Sequence, residues 1–144
     1  MVEEPRTTTA EFVALMRQLA DGWSRQDVET ALACFTADAV YMQPPDVQLY
    51  EGHDQLRPYF AALKPGTAMT FHHLWFDEAS QVGAGEFTFG LAGAARADHG
   101  VAVVELRGGR IAVWREYLSA GPGSFAEFVA RVGKTWQWHI GNYP

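Results

Sequence analysis

Near its C-terminal end the chain runs Trp114-Arg115-Glu116-Tyr117-Leu118, a carboxylate set among aromatic and apolar residues. In an extended strand successive side chains alternate between faces, so Trp114, Glu116 and Leu118 share one face while Val113, Arg115 and Tyr117 share the other. If Trp114 and Leu118 point inward, Glu116 does too. Apolar surroundings disfavour an ionised carboxylate and raise its pKa, which suits proton transfer near neutral pH. The competing reading is an ion pair with Arg107 or Arg115. Tyr41 and Gln43 stand two residues apart on an earlier strand and share a face. There a tyrosine hydroxyl can donate to a developing oxyanion or orient a water, or it can serve simply as an amphipathic core residue. His72 and His73 are adjacent, so alternation sends them to opposite faces and one of them inward, where a neutral imidazole can shuttle protons. The alternative for His72 is a satisfied structural histidine. Asp38 reads as a turn residue, and Cys34, beside Leu32 and Phe35, as a small core hydrophobe.

The elements that carry these residues follow from periodicity. Thr8-Thr9-Ala10-Glu11 is a capping-box pattern, and Phe12, Met16, Leu19 and Trp23 then recur at helical spacing. A second short helix starts at Asp27, a suitable N-cap, with Val28, Leu32 and Phe35 on its apolar face, and ends near Ala37-Asp38. Ala39 to Gln43 reads as a strand stopped by Pro44-Pro45. A third helix spans about Asp54 to Leu63, with Pro58 inside it and Leu56, Phe60 and Leu63 on one face. Four apolar runs follow, Ala68–Asp77, Ala84–Ala94, Gly100–Arg107 and Arg110–Leu118. Gly108-Gly109 marks a tight hairpin, because a type I′ turn needs positive φ at both positions. A last short helix falls at Ser124–Arg131. The aromatic tail from Trp136 to Pro144 is expected to dock, over a pocket mouth or against a second subunit. Helices first and a meander after give an α+β fold, with the helices on one face of an antiparallel sheet that must bend to enclose anything.

The order of these elements, with Phe35-Thr36-Ala37-Asp38-Ala39-Val40-Tyr41, Leu49-Tyr50-Glu51-Gly52 and Arg110-Ile111-Ala112-Val113-Trp114-Arg115-Glu116-Tyr117, resembles the nuclear-transport-factor-two-like superfamily. Within it the nearest group is the SnoaL-like one. The resemblance covers nearly the whole chain and implies a cone-shaped curved antiparallel sheet, with three helices of the N-terminal half packed on its concave side, enclosing a small-molecule pocket, on a fold that hosts isomerases, cyclases, dehydratases, epoxide hydrolases and non-catalytic binding domains. The limonene epoxide hydrolase branch is similar at Glu116, the position of its catalytic acid, at Trp114, and at Tyr41 and Gln43, where it holds the attacking water. Its Arg-x-Asp pair falls on Phe87 and Phe89, so hydrolysis by that mechanism is not expected. The scytalone dehydratase branch places a pocket histidine near His72, but its partner acid falls on Ser24. The register implied by the resemblance turns Glu86 and Glu105 away from the pocket. A homodimer is also implied, through an outer sheet face carrying Val101, Val103 and Arg115.

Composition bounds the function. The 144 residues make one domain, 1–144, large enough to fold without staples. The five Trp, five Tyr and nine Phe exceed what a minimal core needs, which points to a large internal surface, core or pocket. The expected lining is Trp23, Phe60, Phe87, Phe89, Trp114 and Leu118, with some of Phe71 or Trp75. A net charge of −6 without a basic run excludes a nucleic-acid partner. The single cysteine excludes an internal disulfide. His53, His72, His73, His99 and His139 form no H-x-H or H-x-x-x-H pair, so no metal site is expected. No nucleotide fingerprint appears. Met1 to Arg6 lacks a signal-peptide pattern and no run approaches the ~18 apolar residues of a membrane span, so a cytoplasmic location is expected. The expectation is a cofactor-free acid–base enzyme working on a small hydrophobic, oxygen-bearing molecule. The rivals are a ligand-binding protein without catalysis, or a dimerisation domain with a filled cone.

Overall fold

The computed structural model describes residues 4–43, 45 and 47–130. The first helix, α1 (Thr9–Ser24), begins as the capping box requires: Thr8 Oγ1 accepts from Glu11 N, and Glu11 accepts from the Thr8 amide at 2.8 Å. Its face of Phe12, Met16 and Leu19 is fully buried, and each such side chain contributes about 1.5–3 kcal/mol on leaving water. Next comes α2 (Val28–Ala33), capped by the Asp27 carboxylate on Thr30 N. It is shorter than its apolar pattern suggests. Phe35 opens β1 (Phe35–Met42) instead of closing the helix, because its side chain is buried in the sheet-side core. A strand not foreseen, β2 (Leu49–Glu51), pairs antiparallel with β1. It passes directly into α3 (Gly52–Ala61), which carries Pro58 internally as expected. Gly52 makes that junction with φ +73°, and a Cβ there would come within 3.0 Å of the Ala37 carbonyl.

The second half is the meander: β3 (Thr67–Asp77), β4 (Val82–Leu91), β5 (Arg96–Arg107) and β6 (Arg110–Pro122), followed by α4 (Phe125–Val129). The β5–β6 turn has φ of +57° at Gly108 and +76° at Gly109, as a type I′ hairpin demands. Both strands run further than their apolar runs, because Arg96–Asp98 pair with Ala120–Pro122. The six strands form one sheet in the order β2-β1-β6-β5-β4-β3. It is antiparallel except between β1 and β6, which run parallel and bring Tyr41 opposite Trp114. The sheet is curved and unclosed, with β2 and β3 as its edges. The three helices of the N-terminal half lie against it, α1 beside β3 and α3 beside β1, with α2 between them. No described helix is long and apolar enough to cross a membrane. The aromatic tail from Trp136 lies outside the described residues.

Candidate functional site

Alternation on β6 places Trp114, Glu116 and Leu118 on the concave face, and Glu116 is 2% exposed. The Trp114 Nε1–H donates to Glu116 Oε2 at 2.9 Å. The β1–β6 pairing sets Tyr41 opposite Trp114, and its hydroxyl is near enough to the carboxyl to hold the Glu116 pKa down. Neither suspected arginine partner reaches it: Arg107 pairs with Asp38, and Arg115 pairs with Glu105 at 2.7 Å. Burial among apolar groups therefore dominates, and pushes the Glu116 pKa up to about 7. The hydrogen bonds from Trp114 and Tyr41 hold it back, and the Asp98 charge adds a push upward. At neutral pH both protonation states are populated.

Further out, the Tyr41 and Tyr59 rings lie 5.6 Å apart, and the Tyr59 hydroxyl donates to Gln43 Oε1. Burial, with the nearby Glu116 charge second, lifts both phenols well above their ordinary range, so both keep their protons.

A small cavity in front of Glu116 is lined by Trp23, Phe87, Phe89, Leu118, Tyr41 and Gln43. Tyr59, Leu63 and Met69 complete it. Tyr59 was legible as a candidate, since it lies three residues after Leu56 and four before Leu63, on the same helical face. Phe60 and Trp114 are not in the lining but form the layer behind it. Phe60 meets the Trp23 ring edge-on at 5.4 Å, and Trp114 stacks on Tyr41 at 5.7 Å. This second aromatic layer fills most of the cone. The free space is about 10 Å³, near the ~10–15 Å³ that one water needs and far below the roughly 300–1,000 Å³ of a drug-sized pocket.

His72 is a correction. A one-residue bulge shifts the β3–β4 register between Phe71 and His73, so the two histidines do not alternate and both lie on the outer face. His72 Nε2 meets Thr88 Oγ1 at 2.7 Å, and its ring stacks on Phe125 of α4 at 3.7 Å. Thr88 bonds onward to His99 Nδ1 at 2.8 Å, and His99 Nε2 donates to the Pro122 carbonyl. His73 pairs with Glu86 at 2.7 Å on the same outer face. Trp75 is likewise outside, 55% exposed, while Phe71 packs inward against Phe87. Glu86 and Glu105 point outward as expected. Ser24, where an acid was sought, accepts from Met69 N at 3.1 Å and ties the end of α1 to β3. Cys34 is fully buried, and burial pushes its thiol up to about 12. Among the described residues no cluster of three or more potential metal ligands occurs.

No curated protein matches the sequence significantly. Among solved structures, a protein of unknown function with a cystatin-like fold from Methylobium petroleophilum PM1 superposes with a TM-score of 0.71. It is 20% identical and covers 97% of this chain and 99% of its own. An LEH-like epoxide hydrolase of M. tuberculosis gives 0.64 at 18% identity, over 77% of this chain and 84% of the other. The epoxide hydrolase/cyclase-like enzyme SalBIII of pyran-ring formation in salinomycin gives 0.68 at 17%, over 76% and 94%. At these identities the likeness is one of fold. The SnoaL-like domain family matches residues 16–114, well over half of the sequence, and it is to this family, with its nuclear-transport-factor-two-like cone, that the chain belongs.

Proposed function

We propose that the protein is a general acid–base enzyme, needing no cofactor, that acts on a small apolar molecule bearing an oxygen. The observation that carries this is Glu116: a carboxyl 2% exposed, with no cationic partner among the described residues, its pKa pushed up to about 7 at the wall of an aromatic pocket. Such a group takes a proton in one form and returns it in the other at the same pH. As carboxylate it removes a proton from a carbon beside a carbonyl, or from a water. As carboxylic acid it delivers that proton to a different carbon or to an oxygen. Isomerisation, cyclisation, dehydration and hydrolysis are all reached through that pair of transfers, with no oxidant or reductant. Tyr41 would steady the ionised form, and Gln43 and Tyr59 would hold Tyr41 in place. His72, on the outer face, has no part. Hydrolysis with an arginine–aspartate pair is not proposed, since Phe87 and Phe89 occupy those positions in the lining.

The small free space favours a second reading, in which the cone is a filled core or a binding module whose occupant displaces Tyr59 and Leu63. Turnover separates the two. Incubating the protein with a panel of cyclic ketones, epoxides and terpenoid alcohols should yield one converted substrate, with a rate limb near pH 7. Glu116→Gln should lower that rate by about 10²–10⁴. Conversion that survives Glu116→Gln rejects Glu116 as the proton carrier, and binding without conversion selects the second reading. The same proposal pairs two copies through the outer sheet face, where Val101, Val103 and Arg115 stand beside the half-exposed Tyr117 and Trp75. A monomer in sedimentation equilibrium at micromolar concentration rejects that pairing.

A further inference from the structure

Trp23 lines the pocket and is 3% exposed, yet its indole N–H has no hydrogen-bond acceptor among the described residues. Buried donors in folded proteins nearly always have a partner, and one left over calls for an explanation. The contrast lies next to it: the neighbouring indole, Trp114, spends its N–H on Glu116. Of the other polar groups of the lining, Glu116 takes that bond and Tyr59 donates to Gln43. Trp23 cannot easily turn to find a partner. Its ring is boxed edge-on by Phe60 at 5.4 Å, Trp114 at 5.6 Å, Tyr41 at 6.4 Å and Phe89 at 6.5 Å. The adjacent Ser24 fastens that end of α1 to β3. The donor is thus held rigidly at a pocket that also holds a carboxyl able to donate when protonated.

We propose that Trp23 is a specificity-determining residue: its N–H anchors an acceptor oxygen of the bound molecule, so the pocket selects ketones, ethers or epoxides over hydrocarbons of the same shape. This rests on the reading of the Glu116 pocket as the functional site. With that oxygen held by Trp23, the neighbouring C–H or C–O bond would lie beside Glu116, whereas a molecule offering only donors would leave Trp23 unpaired.

The test uses the full chain labelled with ¹⁵N at tryptophan and ¹³C at leucine methyls, titrated with cyclohexanone and with methylenecyclohexane, its oxygen-free counterpart. Cyclohexanone should move the Trp23 indole N–H downfield together with the Leu63 and Leu118 methyls, and methylenecyclohexane should move the methyls alone. Trp23→Phe, which keeps a ring but no donor, should weaken cyclohexanone by about fivefold to tenfold, the worth of one hydrogen bond, and leave methylenecyclohexane unchanged. If cyclohexanone shifts the methyls while the Trp23 signal stays still, or if both compounds move that signal alike, the role of Trp23 is overturned and the pocket reading stands. If neither compound moves any pocket signal, the pocket reading fails and this inference falls with it. The titration of the unsubstituted protein decides the matter even if Trp23→Phe does not fold.

Discussion

Replacing Glu116 with glutamine should stabilise the protein at alkaline pH and do little in acid. In the folded chain the carboxyl titrates near 7, and its reference value is 4.5. A folded pKa above the unfolded one means that the native state binds the extra proton between those values, so stability falls as pH rises through that window. Below about pH 4.5 both states are protonated and the group contributes no penalty; above about pH 7 the penalty is complete. At 1.36 kcal/mol per unit the shift corresponds to about 3 kcal/mol. Glutamine is close in shape. Its carbonyl accepts from Trp114, and its amide N–H donates to Tyr41, so the neutral contacts survive. Urea unfolding followed by tryptophan fluorescence should therefore show the two proteins nearly equal at pH 4.5 and Glu116→Gln ahead by about 3 kcal/mol at pH 8. That gain corresponds to a Tm higher by about 6–12 °C for a domain of this size. All other ionisable groups are shared, so their contributions cancel in the difference. A difference that does not change with pH would refute the raised pKa, and with it the argument that burial outweighs the hydrogen bonds from Trp114 and Tyr41.

Tyr41→Phe removes a donor to the ionised carboxylate, so the Glu116 pKa should rise by about one unit; ¹³C-carboxyl titration reads this, and a fall would place Tyr41 elsewhere. His72→Ala should leave that titration and any turnover unchanged within about twofold. It should cost about 1 kcal/mol of stability through the lost Thr88 bond and Phe125 stack; a large effect on turnover would return His72 to the mechanism.

Several features were legible before any coordinates because they depend on local chemistry. The capping box at Thr8 and Glu11, the positive-φ glycines at 108 and 109, and the shared face of Trp114, Glu116 and Leu118 follow from hydrogen-bond needs, turn geometry and strand pleat. The α+β order and the inward carboxylate came with them. Other readings failed where a long-range pairing altered the local rule. Alternation would have sent one of His72 and His73 inward, but the register of β3 against β4 inserts a bulge there. Phe35 looked helical by spacing, yet β1 claims it. The extension of β5 to Arg96 is owed to partners on β6.

What the sequence by itself determined is the inventory: the aromatic surplus, one carboxylate on an apolar strand face, and an element order that folds into a cone. Only the tertiary structure decided which groups meet. The parallel β1–β6 pairing brings Tyr41 to Glu116, α3 brings Tyr59 to Tyr41, and Arg107 and Arg115 find other carboxylates, which leaves Glu116 without a counter-charge among the described residues. The tertiary structure also decided that a second layer of rings fills the cone, so that little free space remains. The physical reason is that burial and charge pairing are properties of neighbours in space, and those neighbours come from β1, α3 and β6, segments separated by up to the length of the sheet.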